Sequence, residues 1–160
     1  MEGFFSETAK LVPLANNANV TTGADLDSIN MAGFHKATVC VLFGAVTTDI
    51  TITPKSGAAA GTKTTAVPSR YAAGGAVIGT AVAGSTASCD VLGAWTAIST
   101  TVPLAAASNK FLVIEFDAAA MTDAEPWLTI TVAAGSAGIC FAMAILEPRY
   151  TGNRSGTCLA

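Results

Sequence analysis

A glycine-bounded stretch, Gly57-Ala58-Ala59-Ala60-Gly61-Thr62-Lys63-Thr64, follows a threonine-rich strand pattern and ends in the Lys-Thr pair that phosphate loops use. In such loops backbone amides cradle the phosphates, the lysine reaches their far end and the hydroxyl meets magnesium. The chemistry needs a glycine directly before the lysine, and Thr62 holds that place. The helix that should follow is broken by Pro68 and discouraged by the β-branched Thr64, Thr65 and Val67. The stretch therefore reads as a hairpin loop. Glu115 and Asp117 share one strand face, with Asp123 and Glu125 close in sequence. Paired carboxylates can serve acid–base work or calcium, but no EF-hand spacing is present, and a solvated strand running into a loop accounts for them. His35 is the only histidine, so any Ser-His-Asp or Cys-His arrangement would have to recruit it. No GxSxG elbow accompanies it. Cys40, Cys89, Cys140 and Cys158 show no CxxC spacing and, with one histidine, make no zinc pattern. The expectation is no catalytic residue, no metal ligand, no cofactor and no enzyme activity.

The elements around these residues are strands. HKATVCVLFG, residues 35 to 44, sends Ala37, Val39, Val41 and Phe43 one way and Thr38, Cys40 and Leu42 the other. Asp49 to Thr53 alternates cleanly and is stopped by Pro54. Residues 55 to 95 are rich in Ala, Gly, Ser and Thr, with short strands expected near 67–71 and 77–82, and another at 96–102. Phe111 to Phe116 is a strand with Leu112, Ile114 and Phe116 inward, and Asp117 to Met121 forms one helical turn. WLTITVAAGSAGICFAMAIL, residues 127 to 146, carries no charge and is long enough for a membrane helix. Its alternation argues instead for two antiparallel strands joined by a Gly-containing loop. In the second strand Ile139, Phe141, Met143 and Ile145 lie on one face and Cys140, Ala142 and Ala144 on the other. The large set, with Phe141 as a buried aromatic, is expected to point inward. Short strands separated by turn residues indicate an all-β, antiparallel β-sandwich, jelly-roll-like.

Residues 1–32 show little periodicity and read as an extended N-terminal arm, followed by a sandwich domain at 33–151 and a tail at 152–160. Phe4, Phe5, Leu11, Val12 and Leu14 are isolated apolar anchors in that arm, available for docking onto a neighbour. The N-terminus, MEGFFSETAK, has no basic-then-apolar pattern, so the expectation is a chain made in the cytoplasm without a secretory signal. Asn19-Val20-Thr21 and Asn153-Arg154-Ser155 then match the glycosylation pattern by chance. The four thiols are expected to stay reduced. The chain is 51% hydrophobic and only 12% charged, against about 25% in typical soluble domains, with mean hydropathy +0.53. A lone monomer covers itself with more charge, so burial against copies of itself or another protein is expected. Net charge is −3 and the eight basic residues are dispersed, so neither nucleic acid nor a membrane is an expected partner.

The order of segments FHKATVCVLFGAVTTDITITPKSG, FLVIEFDAAAMTDAEPWLTITVAAG and CFAMAILEPRY resembles small head decoration (cement) proteins of tailed bacteriophages, over roughly residues 33 to 151. The resemblance implies a β-sandwich subunit that oligomerises on the capsid exterior, contacts the major capsid protein and reinforces the shell. It implies no catalytic residue, and it adds Arg149 and Tyr150, in the closing Pro-Arg-Tyr, to the interface candidates. Other virion components, such as tail proteins, share the composition. A sugar-binding β-sandwich is the competing class, and it would want exposed aromatics clustered in loops. Trp95 and Trp127 lie in or near apolar strands, leaving Tyr71 and Tyr150 for that role.

Overall fold

The computed structural model describes residues 5–79, 88–98, 101–134, 138–150 and 156–160. The strands are β1 (Lys10–Asn19), β2 (Ala24–Asp25), β3 (Ile29–Asn30), β4 (Phe34–Phe43), β5 (Ile50–Gly57), β6 (Thr65–Ala66), β7 (Ser69–Ala73), β8 (Thr96–Ala97), β9 (Thr101–Val102), β10 (Phe111–Asp117), β11 (Trp127–Ala133) and β12 (Ile139–Pro148). One sheet runs β1-β12-β4-β10-β7-β8 and the other β2-β11-β5-β6, with β3 beside β11 and β9 beside β5. Every described pairing is antiparallel. Joining β2 with β3 and β6 with β9, and setting aside β7 and β8, leaves eight strand positions. They read 1-8-3-6 in the large sheet and 2-7-4-5 in the small one, which is the double Greek key of a jelly roll.

The alternations decide which side of each sheet meets the core. From the large sheet, Ala37, Val39, Val41, Phe43, Leu112, Ile114 and Phe116 are all buried, and from the small sheet so are Ile50, Ile52, Leu128, Ile130 and Val132. They join one continuous core. Pro54 does not stop β5, which continues to Gly57. Its carbonyl accepts from the Val67 amide 3.1 Å away, on the weakly paired β6 side, so the missing N–H costs no bond to β11.

Three expectations need correction. Residues 10–30 are not a free arm. They supply β1, β2 and β3 to both sheets, and Val12 and Leu14, at 2% and 3% exposure, belong to the core. The irregularity that hid β1 is real: its register with β12 slips between Pro13 and Ala15 and again between Ala15 and Ala18, and Asn17 sits at φ 54. Residues 127–146 do form two strands, but β11 and β12 lie in different sheets and do not pair. The described ends of their connection meet at Val20, which donates to the Gly138 carbonyl at 3.0 Å and accepts from the Ala134 amide at 2.8 Å, while residues 135–137 lie outside the described residues. The third concerns the orientation of β12. Its small residues point inward, with Cys140 at 2% exposure and Ala142 and Ala144 at 0%, joined by the fully buried Leu146, while Ile139, Phe141, Met143 and Ile145 point out.

Candidate functional site

The residues that invited chemistry are dispersed into structural work. Gly57 to Thr64 is the β5–β6 hairpin loop. Thr62 Oγ1 both accepts from the Ala59 amide and donates to its carbonyl, and Gly61 turns the chain at φ 76. A Cβ on Gly57 would overlap the Thr62 hydroxyl and carbonyl, so Gly57→Ala is expected to destabilise the fold by about 1–3 kcal/mol, measured by urea denaturation. Lys63 pairs with Asp25 at 2.9 Å, and Thr131 Oγ1 donates to the same carboxylate at 2.5 Å.

Burial pulls the Asp25 carboxyl up, but the Lys63 and Thr131 hydrogen bonds and the Lys63 charge together hold it below its ordinary value. Its contribution to stability is therefore present above the unfolded pKa of about 3.9 and is lost as pH falls through the lowered folded value. Both side chains are more than a third exposed, so Lys63→Met is expected to cost under about 1 kcal/mol at neutral pH. It should also move the Asp25 titration, followed by carboxyl NMR, upward.

The carboxylates scatter in the same way. Glu115 binds Arg70 Nε at 2.7 Å, Asp117 accepts from the Ala119 amide at the head of a 3-10 turn, and Glu125 accepts from Ser56 Oγ at 2.9 Å. Among the described residues, no three His, Cys, Asp or Glu side chains gather to hold a metal ion. His35 is exposed on β4. All four cysteines are unpaired thiols, and burial pushes Cys140 up to about 11. Trp95 is exposed, contrary to expectation, but the Arg70 guanidinium lies 4.7 Å from its ring centroid and covers that face. Tyr71, expected to be available, is buried. No described helix is long and apolar enough to cross a membrane.

What the fold does assemble is a surface. The outward side of the small sheet is mostly polar: Thr51, Thr53 and Lys55 on β5 lie beside Thr131 and the fully covered Thr129 on β11, with Trp127 at one end. The loop after β5 partly covers it, with the Gly61 amide donating to Ser28 Oγ at 3.0 Å and Ser28 bonded to Thr129 at 2.7 Å. The outward side of the large sheet is largely apolar. One row crosses it as Leu11, Ile145 and Thr38 and ends in the Glu115–Arg70 ion pair; the next runs Pro13, Met143, Cys40, Val113 and Ala72, the last two already buried within the chain; a third runs Phe141, Leu42 and Phe111. Ile139, 49% exposed, lies beyond the third row. More charges appear at the end opposite Ile139, where Lys36 sits in register between Glu147 and Asp117. Cys40, on the middle strand and the middle row, marks the centre.

Of the sequence-derived interface residues, Leu11 lies on this face at 53% exposure, and Phe5 is exposed at 53% in the helical turn Phe5–Thr8 before β1. Tyr150 is 72% exposed. Arg149 is exposed and tied to the sandwich, its Nε donating to the Phe34 carbonyl at 3.0 Å. Val12 and Leu14 are withdrawn into the core, and Phe4 lies outside the described residues. The outward row of β12 was missed because alternation separates two faces without saying which one is inside. The signal that could have found it is that β12 carries apolar residues on both faces from Ile139 to Leu146, as β4 and β10 do over part of their length, whereas β5 and β11 alternate with threonine.

No family model and no curated protein matches the sequence. Among solved structures, the chain is similar to the SPBc2 prophage-derived protein YomS, at 13% identity and a TM-score of 0.47 over 87% of this chain and 93% of that one. It is also similar to a structure of Bacillus endospore appendages, described as a family of disulfide-linked pili, at 15% identity and a TM-score of 0.41 over 92% of this chain and 93% of that one.

Proposed function

We propose that the chain is a structural virion subunit of the phage head decoration type. It self-associates and sits on the outer capsid surface against the major capsid protein, stabilising the shell without catalysis or a cofactor. The carrying observation is the outward face of the large sheet, largely apolar across β1, β12 and β4 and charged only toward the Arg70–Glu115 side and the Lys36 end, while the small sheet's outward face is mostly threonine and lysine. A contiguous apolar patch of this kind on a sandwich marks a surface meant to be covered. Contacts of modest individual strength hold when they repeat over a lattice. The segment resemblance to decoration proteins supports the station on the head.

The test is to separate heads from tails in purified particles and to mix the protein with undecorated shells. The expected result is near-stoichiometric occupancy of heads and saturable binding to shells. Recovery with tails alone would move the subunit to a tail station, and absence from particles would overturn the reading. His35→Ala is expected to leave fold and shell occupancy unchanged, because His35 is exposed on β4 and the proposal gives it no part in binding. A turnover that disappears in that variant would overturn the non-enzymatic reading.

A further inference from the structure

We infer that the apolar face of the large sheet is covered by a second copy of this chain, packed face to face about a two-fold axis running between β12 and β4. The inference rests on the self-association reading above and names its surface. Strands stand about 4.8 Å apart and outward residues about 6.8 Å apart along each strand, so the rows, without the already buried Val113 and Ala72, outline about 300 Å². Two such faces with their charged rims come to about 800 Å², the size of a weak, concentration-dependent pairing.

The edges offer less. β1 carries Pro13 and two register slips against β12, the features that bend and blunt an edge strand against further pairing. The remaining edge strands are two residues long. Sheet stacking is therefore the contact the fold leaves open.

Size and charge select the axis. An axis parallel to the strands and midway between β12 and β4 lays β12 of each copy over β4 of the other, keeping every row at its own height. Met143 then meets Cys40 of the other copy, and Ile145 meets Thr38, large side chains over small ones in both directions. At the rim Lys36 meets Glu147, twice. An axis along β4 itself would set Lys36 against Lys36. The same register pairs that place these residues side by side within one chain thus make the face self-complementary, as an isologous interface requires.

The experiment is sedimentation velocity of the full chain over a concentration series, for the wild type, Lys36→Glu, Glu147→Lys and an equimolar mixture of the two variants. Lys36 and Glu147 are both exposed, and thermal melts confirm that each variant is folded. Each variant alone sets like charges against each other across the axis and is expected to associate about tenfold more weakly. The mixture is expected to recover the wild-type level as a heterodimer, which no effect within one chain can produce. Met143→Glu is expected to abolish association and to raise the alkylation rate of Cys40, read by mass spectrometry, at the concentration where the wild type is paired. Association that is unchanged in the variants would overturn this surface and leave the self-association reading standing. A wild type that stays monomeric throughout would overturn the pairing, while shell occupancy would still decide the functional reading on its own.

Discussion

Truncating Phe116 to alanine is expected to destabilise the fold by about 3–5 kcal/mol, whereas the same truncation at Phe141 should cost under about 1.5 kcal/mol, since only its shielded fraction is returned to water. Phe116 is 2% exposed at the inner face of β10, and its removal leaves a void that packed neighbours close only in part. Phe141 is outward on β12, flanked by Leu42 and partly open to solvent. The reverse substitutions sharpen the contrast. Ala144→Phe is expected to unfold or strongly destabilise the chain, because Ala144 is fully buried and an overpacked core forces backbone shifts. Equilibrium urea unfolding at low protein concentration, where association does not contribute, measures all three. Equal losses at Phe116 and Phe141 would mean that β12 presents its large residues to the core.

That orientation shows how far the sequence could be read. Periodicity identified the strands around β4, β5, β10, β11 and β12, because a period of two survives in any sheet that separates two environments. It also identified the inward set of β10, where the larger residues happen to be the buried ones, and separated the two faces of β4 without saying which is buried. On β12 the rule fails for a physical reason. The space between sheets is about 10 Å, and the facing small sheet already fills it with Ile50, Ile52, Leu128, Ile130 and Val132. Cys140, Ala142 and Ala144 fit what remains. Sequence cannot supply that information, since it depends on which strand faces which. The pairing of β11 with β12 was misread by proximity: a short Gly-containing connection is compatible with a hairpin and equally with a crossing between sheets. The loop at Gly57 to Thr64 was legible because its chemistry is local.

Deleting residues 1 to 14 should lower stability by about 3–6 kcal/mol, since two fully buried aliphatic side chains contribute roughly 1.5–3 kcal/mol each. Those residues are Val12 and Leu14. The loss takes a large share of the 5–15 kcal/mol that holds a typical domain folded. The deletion also removes the Lys10, Leu11, Val12 and Pro13 pairings with β12, and with them the bond from Lys10 Nζ to the Gly156 carbonyl. β12 would then become an open edge along half its length, and an unblunted apolar edge is a template for aggregation. Deleting only residues 1 to 9 leaves every one of these contacts in place and takes away the exposed Phe5. Its expected cost is within about 1 kcal/mol, the range of surface changes, so any effect on shell occupancy in this shorter deletion reports on docking rather than folding. Urea midpoints for the two deletions, read beside shell occupancy, separate the roles. A fourteen-residue deletion with an unchanged midpoint would mean that β1 is an ornament to the large sheet. A nine-residue deletion that keeps full occupancy would take Phe5 out of the shell contact and leave it to surfaces outside the arm, such as the exposed Arg149 and Tyr150.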